Sequence, residues 1–243
     1  MNKTVEEAIF LASRLKKLLK SKDNMEIVLC PPFTALDSVA RELNNSNIRL
    51  GAQNMYFENV GAFTGEVSPL MLKEIGCEYV ILGHSERREI FGEDDALINK
   101  KVISALNHLL KPILCVGENL EQKNNSKTKE TIGVQLKNCL KNVNEGQISN
   151  VIIAYEPIWA ISKGNPNHKS ATAEDAEGAH KFIRNTLLKI YNENTAKNAR
   201  IIYGGSMKSE NAKELLSMPD IDGGLVGNAS LDAESFARII NWV

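Results

Sequence analysis

Seven short apolar runs recur along the chain, and they constrain its fold more than any other feature. Each run is apolar at consecutive positions rather than at alternate ones, which is typical of strands buried on both faces. Segments with helical periodicity separate the runs. The runs are residues 26–32, 48–54, 79–85, 111–117, 151–157, 200–205 and 221–227. Alternation of strands and helices predicts a parallel sheet built from right-handed crossovers.

The chain opens with a helix instead of a strand. Thr4 and Glu7 form a capping-box pattern, and apolar residues follow at helical spacing up to residue 19. The prediction is therefore seven strands and eight helices. Polar residues end several of the runs, which favours the single rim of a barrel over the one crevice of an open sheet. We predict an α/β fold, a (β/α)₈ TIM barrel lacking the first β-strand, with residues 1–243 forming one domain.

Composition excludes several classes of protein. The net charge of −1 gives no electrostatic reason to expect nucleic acid or an anionic membrane as partner. No apolar run approaches the roughly 20 residues that span a bilayer, and the first residues do not resemble a signal peptide. The four cysteines form no C-x-x-C pair, which indicates buried free thiols in a reducing compartment. We expect a cytoplasmic protein.

The segment YVILGHSERREIF places His84 just past a buried run. Ser85 is suited to cap a short helix over residues 86–91, whose N-terminus would disfavour protonation of the imidazole. A neutral imidazole can donate a hydrogen bond to a substrate carbonyl. The alternative is a structural histidine at a strand end, and the residue alone does not decide between them.

The segment VIIAYEPIWA ends a strictly apolar run at Glu156. Loss of water around a carboxylate at the mouth of a barrel suits it to act as a general base. The alternative is a carboxylate paired with an arginine or a lysine. Residues 161–175, ISKGNPNHKSATAED, are rich in Gly, Asn, Pro and Ser and are a candidate lid that would exclude water.

Two strand-to-helix turns, IIYGGSMKSE and GGLVGNASLD, are rich in glycine and serine. Small residues let backbone N–H groups approach an anion, and a following helix N-terminus adds its dipole. Counted from an absent first strand, these turns follow strands seven and eight, where barrels commonly bind phosphate. The pair of turns indicates a phosphorylated substrate.

Six segments, in their order and spacing, resemble the triosephosphate isomerase family over the whole chain. They are GAQNMYFENVGAFTGEVS, ILGHSERR, PILCVGE, AYEPIWAI, YGGS and GLVGNASL. The resemblance implies a TIM barrel that interconverts glyceraldehyde 3-phosphate and dihydroxyacetone phosphate in glycolysis and gluconeogenesis. It also implies that the protein uses no cofactor and no metal.

The resemblance implies roles for three residues at the site of chemistry. Glu156 would be the base that moves a proton between two substrate carbons, and His84 the neutral electrophile at the oxygens, as in the resembled family. Glu86 would be an acid that supports the histidine without touching substrate.

Further residues match positions that bind substrate or a partner subunit. Ser206, with the backbone around Gly227 and Asn228, would hold the phosphate, and Ser162 in the lid would add a backbone N–H. The loop around Thr64 resembles the arm that reaches into the neighbouring subunit, which implies a homodimer or another homo-oligomer.

The sequence departs from the family pattern in three places. The family begins with a strand ending in an Asn-x-Lys motif, which does not occur ahead of the helix at residue 5. The lid is longer, with an insertion at 165–168, and Ser162 stands where the family has a glycine. Asn228 replaces a second glycine of the phosphate turn. Loss of the lysine charge would cost about 3 kcal/mol, roughly a hundredfold in rate, and Lys3 lies too late to replace it.

Two interpretations of function compete. The first is an isomerase with reduced activity; the second is a nearly inactive barrel that binds sugar phosphates or has a structural role. His84, Glu156 and Ser206 favour the first, and the three departures favour the second. A sequence that starts inside a longer chain would remove the largest departure. A barrel of seven strands would leave the first and last strand edges unpaired, to be covered by a neighbouring element or by another subunit.

Overall fold

Seven parallel strands form one sheet in the computed structural model, which describes residues 1–19, 25–161 and 170–241. The strands follow one another in the sheet in chain order, and every neighbouring pair is parallel. They are β1 (Ile27–Leu29), β2 (Ile48–Ala52), β3 (Tyr79–Leu82), β4 (Lys111–Val116), β5 (Ile152–Tyr155), β6 (Arg200–Tyr203) and β7 (Gly223–Gly224). The seven predicted strands are confirmed, and each is shorter than the apolar run that contains it.

Helices occupy each of the eight predicted positions. They are α1 (Val5–Leu18), α2 (Leu36–Glu42), α3 (Pro69–Ile75), α4 (Ser85–Glu89), α5 (Asp95–Asn107), α6 (Leu120–Asn124), α7 (Thr128–Cys139), α8 (Glu145–Ile148), α9 (Ala173–Ile190), α10 (Glu193–Asn198), α11 (Ala212–Leu216) and α12 (Ala233–Ile240). Three connections hold additional short helices, so the described residues contain twelve α-helices rather than eight. None of these helices is long and apolar enough to cross a bilayer.

The first helix forms as its sequence predicts. The side chain of Thr4 caps α1, and the Glu7 side chain accepts a hydrogen bond from the Thr4 backbone N–H at 2.7 Å. Its apolar stripe buries Ala8, Ala12 and Leu15. These residues lie where α1 packs against α2 and α12, so the stripe covers its two neighbouring helices.

The sheet is curled. Glu26, just ahead of β1, pairs with Arg200 at the start of β6. Five strand spacings separate β1 from β6, which would place them about 24 Å apart in a flat sheet. The contact therefore requires the sheet to bend round on itself. β1 and β7 end the sheet order, and no ladder joins them in the part of the chain that the structure describes.

The curl explains why the strands are apolar at consecutive positions. One face of the sheet packs on the helices, in a large core that includes Val80, Leu82, Leu114 and Ile153. The other face is enclosed by the curl and forms a second, smaller core. That core contains Tyr79, Ile81, Ile113, Cys115, Ile152 and Ala154. Because successive residues of one strand point to opposite faces and both faces are buried, consecutive residues of a strand are apolar.

All four cysteines are free thiols, as predicted. Cys77, Cys115 and Cys139 are buried, and Cys30 is partly buried. Burial raises the pKa of every one of them, to about 11 for Cys77 and about 12 for Cys30 and Cys139. The thiols are therefore protonated at neutral pH.

Candidate active site

The carboxyl ends of β3 and β5 bring together the two residues that carry the predicted chemistry. His84 follows β3 by two residues, and Glu156 directly follows β5. The Nε2 atom of His84 lies 2.9 Å from Oε1 of Glu156. Two strand spacings separate β3 from β5, and the curl of the sheet lets both side chains meet over its inner face.

The carboxylate of Glu156 is buried and fully partnered. The residue is only 2% exposed. Its Oε2 atom accepts the backbone N–H of Ser85 at 2.9 Å, and the buried thiol of Cys115 lies close enough to be acted on by the carboxylate charge. Burial and the charge of Glu156 raise the pKa of the Cys115 thiol well above its ordinary value, so that thiol keeps its proton.

Gly117 makes room for the backbone of Glu156. A Cβ atom at residue 117 would lie 1.9 Å from the carbonyl oxygen of Glu156, which no side chain tolerates. The Gln135 side chain holds Gly117 by both its N–H and its carbonyl, at 2.8 and 3.1 Å. The end of β4 thus fixes where the Glu156 backbone lies.

Hydrogen bonding assigns the tautomer of His84. Its Nδ1 atom accepts the backbone N–H of Glu86 at 3.3 Å, so His84 itself caps α4. The prediction that Ser85 caps this helix is therefore wrong, and α4 begins one residue earlier than predicted. A neutral ring with an accepting Nδ1 carries its hydrogen on Nε2, which then donates to Glu156.

Two influences on the protonation of His84 oppose one another. Burial lowers its pKa, but the hydrogen bond and the negative charge of Glu156 outweigh burial, and Glu86 adds to them. The pKa of His84 is therefore raised above its ordinary value of 6.5. This direction differs from the sequence prediction, because direct contact with Glu156 could not be foreseen from the helix N-terminus alone.

A second buried carboxylate, Glu118, lies at the same edge of the sheet. Its side chain accepts hydrogen bonds from the hydroxyl of Tyr155 at 3.2 Å and from Nε1 of Trp159 at 2.7 Å. The ammonium of Lys123 lies over the Trp159 ring and pairs with Asp175 at 3.0 Å. Sequence analysis missed Glu118, although it follows a predicted strand as Glu156 does, and the strand-end rule would have found it.

The two glycine-rich turns follow β6 and β7. The backbone N–H of Ser206 donates to the carbonyl of Ala160 at 3.2 Å, next to the strand end that carries Glu156. The carbonyl of Gly227 accepts both the N–H and the hydroxyl of Ser230, at 2.9 and 2.7 Å. Gly227 and Asn228 are exposed. These hydrogen bonds set the shape of the turns and bring Ser206, but not Gly227, close to the segment that follows Glu156.

The remaining predicted residues are less closely tied to the pair. The side chain of Glu86 is largely exposed, with Oε2 3.8 Å from Nδ1 of His84. Thr64 lies in an exposed loop. Ser162 and the insertion at 165–168 lie outside the described residues. Within residues 1–19, 25–161 and 170–241, no group of three or more His, Cys, Asp or Glu side chains is arranged to hold a metal ion.

Enzymes built on α/β barrels carry their chemistry at the carboxyl ends of the strands. His84 and Glu156 lie there together, on a curled parallel sheet flanked by helices. The fold and the site define the chain as an enzyme of the α/β-barrel class. Comparison with known proteins gives the family: the chain belongs to the triosephosphate isomerase family, whose sequence profile matches residues 1–243.

Several bacterial proteins named triosephosphate isomerase are similar to this chain over its full length. The protein of Finegoldia magna is 54% identical over 243 residues, which cover 100% of this chain and 95% of the relative. That of Caldanaerobacter subterraneus subsp. tengcongensis is 51% identical over 242 residues, covering 100% and 96%. That of Clostridium novyi is 48% identical over 242 residues, covering 100% and 95%. The family and these relatives make the chain an isomerase.

Proposed function

We propose that the chain interconverts glyceraldehyde 3-phosphate and dihydroxyacetone phosphate by proton transfer. The observation that carries the proposal is the contact of 2.9 Å between His84 and Glu156 at the carboxyl ends of two strands. Family membership and the names of the relatives support the choice of substrate.

Glu156 is the base in this proposal. Its carboxylate takes a proton from the carbon next to the substrate carbonyl and returns it to the neighbouring carbon. Substrate and product are isomers, so the proton is neither gained nor lost over the cycle. The burial of Glu156 supports this role, since a carboxylate shielded from water is a more effective base.

His84 acts at the two oxygens. Its Nε2–H donates to the carbonyl oxygen, stabilises negative charge there and passes a proton between the oxygens. The Glu86 N–H supports a neutral ring, because an accepting Nδ1 cannot also carry a proton. When Glu156 turns from His84 to substrate, the main influence that raises the histidine pKa is lost, which further favours the neutral form.

The glycine-rich turns are proposed to hold the substrate phosphate. Ser206 contributes from the turn after β6, and the backbone of Gly227 and Asn228 contributes from the turn after β7. Ser162 would add an N–H from the segment 162–169. Small residues and backbone donors at adjacent strand ends support an anion site.

The rate of the 243-residue polypeptide is a separate proposal. Residues 1–4 do not contain the Asn-x-Lys motif of the family. We expect a polypeptide of residues 1–243 alone to turn over about a hundredfold more slowly than the same chain preceded by an Asn-x-Lys motif, since one preorganised charge contributes about 3 kcal/mol. The competing proposal, a barrel that binds sugar phosphates with almost no turnover, rests on this departure together with the longer lid segment and Asn228.

Assembly and location remain proposals. The loop around Thr64 is exposed, with Val60 and Phe63 beside it also exposed, which supports its use as a contact with a second copy of the chain. A cytoplasmic, single-domain barrel that binds neither nucleic acid nor membrane fits the composition. Light scattering of the polypeptide and of Phe63→Asp tests the oligomer, because a contact made by this loop would weaken in the variant.

A coupled isomerase assay at high protein concentration tests the activity. Glu156→Gln removes the base and keeps the shape of the side chain, and we expect kcat to fall by about 10²–10⁴-fold. Equal rates for Glu156→Gln and the parent would exclude Glu156 as the base. Background rates in the parent, together with a rise in melting temperature on adding dihydroxyacetone phosphate, would favour the binding protein instead.

A further inference from the structure

Arg88 lies beneath the candidate site and holds the ends of two strands together. Its Nε–H donates to the carbonyl of Gly83 at 2.8 Å, and Nη2–H donates to the carbonyl of Cys115 at 3.2 Å. Gly83 follows β3 directly, and Cys115 is the last residue but one of β4. One guanidinium therefore joins the carboxyl ends of two neighbouring strands.

Both strand ends lead directly to the reacting pair. Gly83 immediately precedes His84, so its carbonyl belongs to the same peptide unit as the histidine N–H. Val116, the residue after Cys115, accepts the Glu156 backbone N–H at 2.8 Å, and the Cys115 thiol lies close enough to Glu156 for the carboxylate charge to raise its pKa. A shift of either strand end would move one member of the pair relative to the other.

The guanidinium is itself anchored from behind. Nη1 pairs with Asp95 at 2.7 Å, at the start of α5. Asp95 also accepts the thiol of Cys139 at 3.3 Å and the side-chain amide of Asn138 at 3.2 Å, both from α7. The side chain of Arg88 is only 15% exposed. Residues of α5 and α7 therefore fix the Arg88 guanidinium that holds the strand ends.

Gly83 packs closely against the guanidinium of Arg88. Its φ of +70° is a left-handed backbone conformation that favours glycine. A Cβ atom at residue 83 would also lie 3.1 Å from Nη2 of Arg88. The backbone ahead of His84 thus packs directly on the guanidinium, with no space for it to move towards Arg88.

The geometry points to Arg88 as a positioning residue for the reaction: it sets the separation of His84 and Glu156 by clamping the carbonyls of Gly83 and Cys115. This inference rests on the proposed function, in which that pair carries the chemistry. Arg88 touches neither reacting group and acts only through the strand ends. A lysine cannot replace it, because a single ammonium lacks the planar fork that reaches both carbonyls and Asp95 together.

Arg184 provides a matched control. Its side chain is 18% exposed, and it too holds backbone carbonyls, those of Ala196 and Ala199 at 2.9 Å each and that of Asp220 at 3.2 Å. It pairs with Asp220 and Asp222, as Arg88 pairs with Asp95. These contacts lie ahead of β6 and β7, at the opposite ends of the strands from His84 and Glu156. A general loss of stability would be common to both arginines, and a loss of positioning would not.

The test compares Arg88→Lys with Arg184→Lys in the full polypeptide. We expect both variants to melt at lower temperature, and kcat to fall about tenfold or more only in Arg88→Lys, since displacements near 1 Å cost up to about a hundredfold. KM should change less than about threefold, because Arg88 does not contact the turns after β6 and β7. Equal kcat in the two variants, below the melting temperature of each, would overturn the inference.

A second readout does not depend on turnover. Titration of the His84 imidazole by NMR reports its contact with Glu156, and Arg87 and Glu86 are the other charged groups that act on it. In Arg88→Lys the titration should move towards that of an ordinary histidine, and in Arg184→Lys it should match the parent. An unchanged titration in Arg88→Lys would contradict the inference.

Two further variants keep the test decisive. If Arg88→Lys does not fold, Asp95→Asn weakens the anchor while leaving the arginine in place, and the same loss of kcat is expected to a smaller extent. Glu156→Gln separates the two proposals. Full activity in Glu156→Gln would refute the proposed function itself. Loss of activity in Glu156→Gln with no loss in Arg88→Lys or Asp95→Asn would refute only the positioning role of Arg88.

Discussion

Replacing Gly117 by alanine tests whether the end of β4 sets the position of Glu156. The added Cβ would lie 1.9 Å from the Glu156 carbonyl oxygen, and an ordinary contact begins at 3.4 Å. The two backbones must therefore separate by about 1.5 Å. Gln135 holds Gly117 by both of its backbone polar groups, so most of the displacement falls on Glu156.

The displacement has two measurable consequences. A misplacement of about 1 Å at a reacting group costs up to about a hundredfold in rate, so we expect kcat of Gly117→Ala to fall by about that factor. Overpacking of this kind costs about 1–3 kcal/mol, which lowers the melting temperature by about 2–4 °C for each kcal/mol in a chain of this size. A coupled isomerase assay and thermal unfolding measure the two effects.

Gly178→Ala in α9 is the control, because a Cβ atom there meets nothing within 4 Å. Alanine is the better helix former by about 1 kcal/mol, so this variant should melt slightly higher and keep the parent kcat. Parent-like kcat in Gly117→Ala would refute the reasoning, since Glu156 would then tolerate a shift of its backbone. Loss of kcat in both variants would also refute it.

Three further predictions concern charge and pH. Glu26→Gln removes the charge that pairs with Arg200 across the curl of the sheet. Since the Glu26 side chain is about one-third exposed, we expect the free energy of unfolding, measured with urea, to fall by about 1 kcal/mol. The control Asp37→Asn removes an exposed ion pair and should cost less than about 0.5 kcal/mol. Equal losses would mean that the Glu26 pair contributes no more than an exposed one. Burial lowers the pKa of His180 below 6.5, so the unfolded chain binds its proton first and stability falls as pH drops below about 6.5. That fall should be shallower by up to about 1.4 kcal/mol per pH unit in His180→Asn, and equal slopes would show that His180 is not the cause. In Glu156→Gln the NMR titration of His84 should move to lower pH, because burial then outweighs the remaining charges, and an unmoved titration would mean that Glu156 does not set it.

The sequence was sufficient to locate the strands and the residues at their ends. Apolar runs between helical segments gave all seven strands, and the strand-end rule led to His84 and Glu156, which the structure joins at 2.9 Å. Both inferences rest on local patterns combined with one topological fact, that parallel strands present their carboxyl ends at the same edge.

Contacts between distant parts of the chain were beyond the sequence. The N–H of Ser85 and the carboxylate of Glu156 are 71 residues apart, and nothing in either segment indicates their hydrogen bond. The direction of the His84 pKa depends on that carboxylate, so the helix N-terminus alone predicted it wrongly. Arg88 reads as one more charged residue of SERR, and only the folded chain reveals the two carbonyls that it holds.

The additional helices escaped prediction for a different reason. α6 and α8 span only five and four residues, too short to show a helical period. The sequence nevertheless contains a capping signal for each helix, because Asn119 with Gln122 and Asn144 with Gln147 each form a capping box. Capping signals are thus a better guide than periodicity to helices of a single turn.

The three buried thiols, those of Cys77, Cys115 and Cys139, are internal probes of local unfolding. Alkylating reagents attack the thiolate, so each of these three cysteines reacts only when local unfolding exposes it to water. Cys115 lies against Glu156 and Cys139 against Arg88, while Cys77 lies near the first strands of the sheet. Pulse alkylation followed by mass spectrometry would therefore show the order in which the regions around the candidate active site and around the early strands unfold.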